Sequence, residues 1–245
     1  VQSGAPAGYA IHVSSANANI AQLLIDRVFI RKTGNTSIYA DGANTASLLT
    51  IQNCLIANGI SIPTAGDTIR IINNQIFGDQ YSLDITFIAG AALLLMTGNN
   101  ATSKYGIHIG APALFNIIAD NEFETFNTFV GSNNALLDLD GTNTTNIYDF
   151  VIARNSFSIV NGITANAIRV NYAVRTIIQD NRFFNGVVGL PNTQSIVVTA
   201  NASNTFIGTN LWDNGSPLSS RISDSGTATV LAAAFLNDFI INNDT

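Results

Sequence analysis

Eight times along the chain an aliphatic residue is followed three positions later by a small or amide side chain, and two positions after that by another apolar or aromatic one. The motif reads Ile25-Val28-Ile30, Ile51-Cys54-Ile56, Ile71-Asn74-Ile76, a weaker Met96-Asn99-Ala101, then Ile118-Asn121-Phe123, Ile152-Asn155-Phe157, Ile178-Asn181-Phe183 and Ile207-Asn210-Trp212. Its middle position advances by 26, 20, 25, 22, 34, 26 and 29 residues. A motif kept constant while its spacing drifts is the signature of a solenoid whose strands hold register and whose loops vary in length.

A second apolar alternation falls between successive motifs. It appears as Ile11-His12-Val13, Ile38-Tyr39-Ala40, Ile60-Ser61-Ile62, Leu83-Asp84-Ile85, Ile107-His108-Ile109, Leu137-Asp138-Leu139, Ile168-Arg169-Val170 and Ile196-Val197-Val198. Period two puts one face inward and one outward. Two files of short strands in the same order imply that each strand stacks on its own copy in the next coil. Strands arranged this way are parallel and about 4.8 Å apart, so about eight coils make a rod of roughly 40 Å.

The recurring Asn has a physical reason in such a stack. At a bend its amide turns inward, where it is costly unless paired, and amides from successive coils can donate and accept along the axis. Asn also tolerates a left-handed backbone. Val28 and Cys54, in the same slot, are expected to cap the ladder with apolar groups, and the aromatic two positions later to stack on its equivalents.

Composition fits an all-β chain with a long uncharged polar surface: of 245 residues, 47% are hydrophobic and only 11% charged. A net charge of −6, with ten Lys and Arg scattered singly, argues against nucleic acid as a partner. No apolar run is long enough for a membrane-spanning helix. A single cysteine, Cys54, excludes an intrachain disulfide framework. The opening "VQSGAPAGYA" has no signal-peptide pattern and no initiator Met, so the chain reads as a mature or excised piece of something larger.

On these repeats the sequence resembles the right-handed parallel β-helix proteins, the pectin-lyase-like superfamily that includes polysaccharide lyases, hydrolases, epimerases and phage tailspikes. The resemblance implies a single-stranded right-handed parallel β-helix over residues 1–245, with 213–245 as a closing or association segment. Two signatures of those relatives are missing: paired Asp-Asp with Gly-His-Gly and Arg-Ile-Lys, as in polygalacturonases, and Asp-Pro-His, as in alginate epimerases.

The outward residues of the second strand file form one row: His12, Tyr39, Ser61, Asp84, His108, Asp138, Arg169 and Val197. Asp84, His108 and Asp138 on consecutive coils are the candidate catalytic groups. Arg169, with Asp140 beside it, is the candidate anchor for a uronic acid or sulfated sugar. Two coils separate Asp84 from Asp138, roughly 9 to 10 Å, within the range in which an inverting glycosidase holds its acid and base. Tyr39, Tyr105 and Tyr172, with Tyr81 and Tyr148, are candidate sugar-stacking rings. Opposite charges in one file are also what a solvated sheet face uses simply to relieve repulsion. Asp120, Arg154 and Asp180 read as such an alternation, and Glu122 and Glu124 form a second acidic candidate.

The expected function is therefore a tailspike- or tail-fibre-like module on a virion surface or outside the cell, which binds a polysaccharide along its β-helix face and, if active, cleaves it as a hydrolase or lyase. The expected assembly is a homotrimer, with a further domain or subunit covering the N-terminal end. The alternative is a structural β-helical spacer, and a free polysaccharide lyase or hydrolase comes third. No cofactor is assigned, because the sequence has no phosphate-binding glycine loop, Cys/His cluster or calcium-loop spacing.

Overall fold

The computed structural model describes residues 9–14, 22–31, 36–41, 48–65, 68–78, 81–87, 93–110, 114–125, 129, 133, 135–142, 146–159, 165–185, 195–212 and 221–232. They form a parallel β-solenoid of three sheets with nine, nine and eight strands. Every strand pairs in parallel with its equivalent one coil away, as the repeats require. One coil shows the order: Ile107–Gly110 lies in sheet I, Asn116–Ala119 in sheet II and Glu122–Thr125 in sheet III. Sheet I is the second strand file of the sequence. The Asn motif itself divides between sheets II and III, with its Asn at the corner.

Each strand buries alternate residues in one continuous core. Within the coil just named Ile107, Ile118 and Phe123 are essentially inaccessible. The weak Met96-Asn99-Ala101 repeat is held in full register, with Met96 beside Ile71 and Ile118 and Ala101 beside Ile76 and Phe123. Aromatic slots stack as expected. Phe123, Phe157, Phe183 and Trp212 follow one another at ring-centroid distances of 5.3, 5.3 and 5.4 Å.

The amide ladder runs through six coils. Asn74 Nδ2 donates to Asn99 Oδ1, Asn99 to Asn121, Asn121 to Asn155, Asn155 to Asn181 and Asn181 to Asn210, at 3.0, 2.9, 2.9, 3.0 and 3.0 Å. Each Oδ1 also accepts the backbone N–H of the ladder residue one coil earlier, as Asn155 Oδ1 does from Asn121 at 3.0 Å. Two features differ from the sequence expectation. The left-handed residue is the one before the ladder Asn: Asn73, Asp120, Arg154 and Asp180 have φ of 53°, 59°, 54° and 56°. The amide cannot itself turn left-handed and still point down the axis, so its neighbour makes the turn.

Cys54 is the second difference, because it continues the ladder's hydrogen bonding rather than ending it. Its Sγ accepts from the Val28 N–H at 3.4 Å and lies 3.0 Å from the Gln52 carbonyl. Its backbone N–H donates to Asn74 Oδ1 at 3.0 Å. The thiol is a weak donor and acceptor of suitable size for a slot that otherwise needs both functions. Burial raises its pKa, so it stays a thiol.

Residues 221–232 continue the solenoid: Ile222–Asp224 is the ninth strand of sheet I and Val230–Leu231 the ninth of sheet II. The remainder of 213–245, and the opening residues 1–8, lie outside the described residues.

Candidate functional site on sheet I

Parallel pairing turns the outward positions of sheet I into a physical row. His12 is opposite Tyr39, Tyr39 opposite Ser61, Ser61 opposite Asp84, Asp84 opposite His108, His108 opposite Asp138, Asp138 opposite Arg169 and Arg169 opposite Val197. Alternation holds their neighbours Leu83, Ile107, Leu137 and Ile168 in the core, so the row cannot rotate inward without unpacking it.

Its charged members divide into two groups. His108 Nδ1 lies 2.9 Å from Asp84 Oδ1, with both side chains partly exposed. Burial is the largest single influence on the imidazole and pulls its pKa down. The hydrogen bond and charge of Asp84, with the charges of Asp138 and Asp140, outweigh it and raise the pKa above 6.5. The Asp84 carboxylate thus holds a proton on Nδ1 and leaves Nε2 as the nitrogen able to deliver a proton to a substrate oxygen.

The second group is closed on itself. Asp138, with its side chain only 1% exposed, places Oδ1 2.7 Å from Arg169 Nη1 and accepts the Asn133 amide on Oδ2 at 2.8 Å. Arg169 Nη1 also reaches Asp140 Oδ1 at 3.2 Å, and Asn171 Nδ2 donates to that same oxygen at 2.7 Å. Arg169 is therefore already committed to two carboxylates. Burial, with a hydrogen bond on each oxygen, closes the Asp138 carboxylate off from a water or a sugar.

The rings fall at two stations along the row. Tyr9 stacks on Tyr39 at 4.1 Å and 7°, with His12 5.5 Å from each. Tyr81 and Tyr105 meet at 5.4 Å where the chain enters sheet I, and Tyr81 is 6.2 Å from His108. The glycine before each of two strands makes the entry corner possible. Gly59 and Gly106 have φ of 70° and 78°, and a Cβ on either would collide with a carbonyl of the next coil. Tyr172 stands apart from both stations, at the exit edge of sheet I beside Gly141, with φ 46°.

The long insertions lie largely outside the described residues. From the 34-residue step, Phe129 packs into the core and Asn133 binds Asp138. Asn133 carried no periodic signal in the sequence. Asn171 did, since its register opposite Asp140 follows from the strand alignment. Tyr9, outside both repeats, is recognisable only through its contact with Tyr39.

The second acidic candidate borders a groove of about 670 Å³ at the corner between sheets II and III, lined among others by Asn100, Asp120, Glu122, Arg154, Arg182 and Phe184. Its charges pair internally. Arg154 binds Asp120 through two bonds of 2.8 and 2.7 Å, Asn100 donates to Glu122 at 2.9 Å, and Arg182 covers the Phe184 ring at 4.1 Å. Glu124, one step along the strand, meets the Thr102 hydroxyl at 3.4 Å.

Sheets, corner ladder and core together define a right-handed parallel β-helix. A solved structure that the chain resembles is DFA-IIIase from Arthrobacter chlorophenolicus A6, without its lid and in complex with GF2. The likeness has a TM-score of 0.57 at 18% identity and covers 86% of this chain and 54% of that one. The chain thus spans about half the length of the structure it matches, and the similarity concerns the fold. No protein-family model matches the chain, and no curated protein matches it.

Proposed function

We propose that the chain is a glycan-binding module of tailspike or tail-fibre type, placed on a virion surface or outside the cell, which lays a polysaccharide along the outer face of sheet I. The observation that carries this reading is the arrangement of the row. Two tyrosine pairs stand about three strand spacings apart, roughly 14 Å, and Asp84 and His108 lie beside the second pair, with Tyr81 6.2 Å from His108. Flat rings receive the apolar faces of sugars, and the polar groups beside them receive hydroxyls. The matched DFA-IIIase, solved in complex with GF2 on the same fold, supports it.

The charges favour a neutral polymer. Arg169 is neutralised by Asp138 and Asp140, and the chain is negative overall. In any cleavage His108 is the proton donor, with Asp84 holding it in place, and Asp140 is a further carboxylate of this face that is not buried. Asp138 then serves to position Arg169. Tyr39 and Tyr105 are the stacking rings, and Tyr172 meets only a chain wide enough to reach the exit edge. Homotrimer formation and a covered N-terminal end belong to the same reading.

A glycan array with a reducing-end assay on the intact chain tests the reading. Tyr105→Ala should weaken binding by up to about tenfold, the worth of one aromatic contact. Asp84→Asn should abolish whatever turnover the wild type shows. Unchanged binding in Tyr105→Ala together with unchanged turnover in Asp84→Asn removes this site. The self-satisfied network of Asp138, Arg169, Asp140 and Asn171 favours the second reading, an inert β-helical spacer. Absence of any glycan binding is the result that selects it.

A further inference from the structure

Sheet II carries an outward row of a different kind. Leu95, Ile117, Val151, Ile177, Phe206 and Val230 are register partners on six successive strands. The row therefore runs along the solenoid axis for five strand spacings, about 24 Å. Ile117, Ile177 and Val230 are 40%, 37% and 56% exposed. Phe115, two residues before Ile117, is 66% exposed and stands on a backbone with φ 55°, a conformation unfavourable for a bulky residue. Next to this projecting ring lies a hollow of about 580 Å³ lined by Ile117, Val151 and Ile177 and edged by Asp149 and Arg175.

Single exposed apolar residues need no explanation, but a continuous file of them does. The fold does not demand it. In the same coils the outward positions of sheet I hold His108, Asp138 and Arg169, so the solenoid itself does not require apolar residues at outward positions.

We propose that the outer row of sheet II is an interface between copies of this chain. Electrostatics marks this strip as the place where two copies can meet with least repulsion. The molecule carries a net charge of −6, so two copies repel over most of their surfaces. The only charged side chains lining the hollow, Asp149 and Arg175, are joined to each other by two bonds of 2.5 and 2.8 Å, which leaves the strip neutral. Spacing points the same way. A second copy offers apolar side chains at the same strand interval, so two rows can match coil for coil. Projection and hollow also lie on one face, which is what self-complementary contact needs. This interface gives a place to the self-association that is part of the proposed function, and because sheet I remains open for glycan, loss of association and loss of glycan binding are read separately.

Sedimentation velocity on the intact chain over about a hundredfold range of concentration tests the proposal. The wild type should sediment as an oligomer and the double variant Ile117→Asp/Ile177→Asp as a monomer. Phe115→Ser should dissociate at about tenfold or more higher concentration, as loss of an aromatic anchor does. Leu211→Asp, at an exposed apolar site on sheet III, should leave the oligomer unchanged. Far-UV circular dichroism shows whether each variant is folded. Should the double variant misfold, Phe115→Ser decides, because its side chain lies off the core. A wild type that stays monomeric throughout overturns the proposal, as do folded sheet II variants that remain oligomeric.

Discussion

At the scale of single residues, what matters is how buried polar groups are satisfied. Asn155 shows why one amide per coil is kept: it accepts from the Asn121 backbone and side chain, and donates to the Ile118 carbonyl and to Asn181. Asn155→Ala leaves the buried Asn121 N–H without its partner, at about 1–3 kcal/mol, and removes the side-chain bonds to the Ile118 carbonyl and Asn181. A loss of roughly 3 kcal/mol is expected, read as a lower denaturant midpoint with an unchanged slope. His108 gives a pH signature. Its folded pKa lies above the ordinary imidazole value of 6.5, so the protonated form is stabilised by folding. That contribution is fully present below about pH 6.5 and disappears as pH rises through the folded pKa. The stability difference between wild type and His108→Gln should therefore be largest in mild acid and vanish in the alkaline range, as followed by urea midpoints across pH. A difference that grew with pH would mean that the imidazole is buried neutral.

At the scale of elements, strands of two to seven residues persist because each is clamped between equivalents above and below. The stack Phe123, Phe157, Phe183 and Trp212 supports sheet III from within. Phe157, fully buried between two rings, is its centre. Phe157→Ala removes both ring contacts and opens a cavity, and should cost about 3–5 kcal/mol. Phe157→Leu should cost distinctly less in the same thermal melts. Equal losses would show that the ring contacts, rather than the volume filled, carry the stability.

At the scale of the whole molecule, nearly every strand pairs with a segment at least 20 residues away in sequence. Loop-closure entropy must be spent before such pairs form, so folding is slow for topological reasons. Refolding is expected to take about a second or longer. Trp212, the only tryptophan, reports it by fluorescence, because it stacks on Phe183 only when the upper coils are in place. Recovery of native fluorescence within milliseconds would contradict a fold assembled by stacking coils.

Much of this architecture was legible in the order of residues, because a solenoid repeats one local problem and the answer to it recurs in the chain. Stacked apolar positions, the amide ladder and the aromatic file all follow from period and spacing, even at the weak Met96 repeat. The outward row of sheet I could likewise be written down in order. Other features needed the third dimension. Whether Asp138 meets solvent depends on Asn133, from a loop with no period, and the left-handed position before each ladder Asn depends on how an amide must point down the axis. The apolar row of sheet II is spread one residue per coil, so its members become neighbours only when the coils close. Periodicity constrains which way a side chain points, whereas burial, pairing and a continuous surface depend on what the next coil and the loops bring beside it.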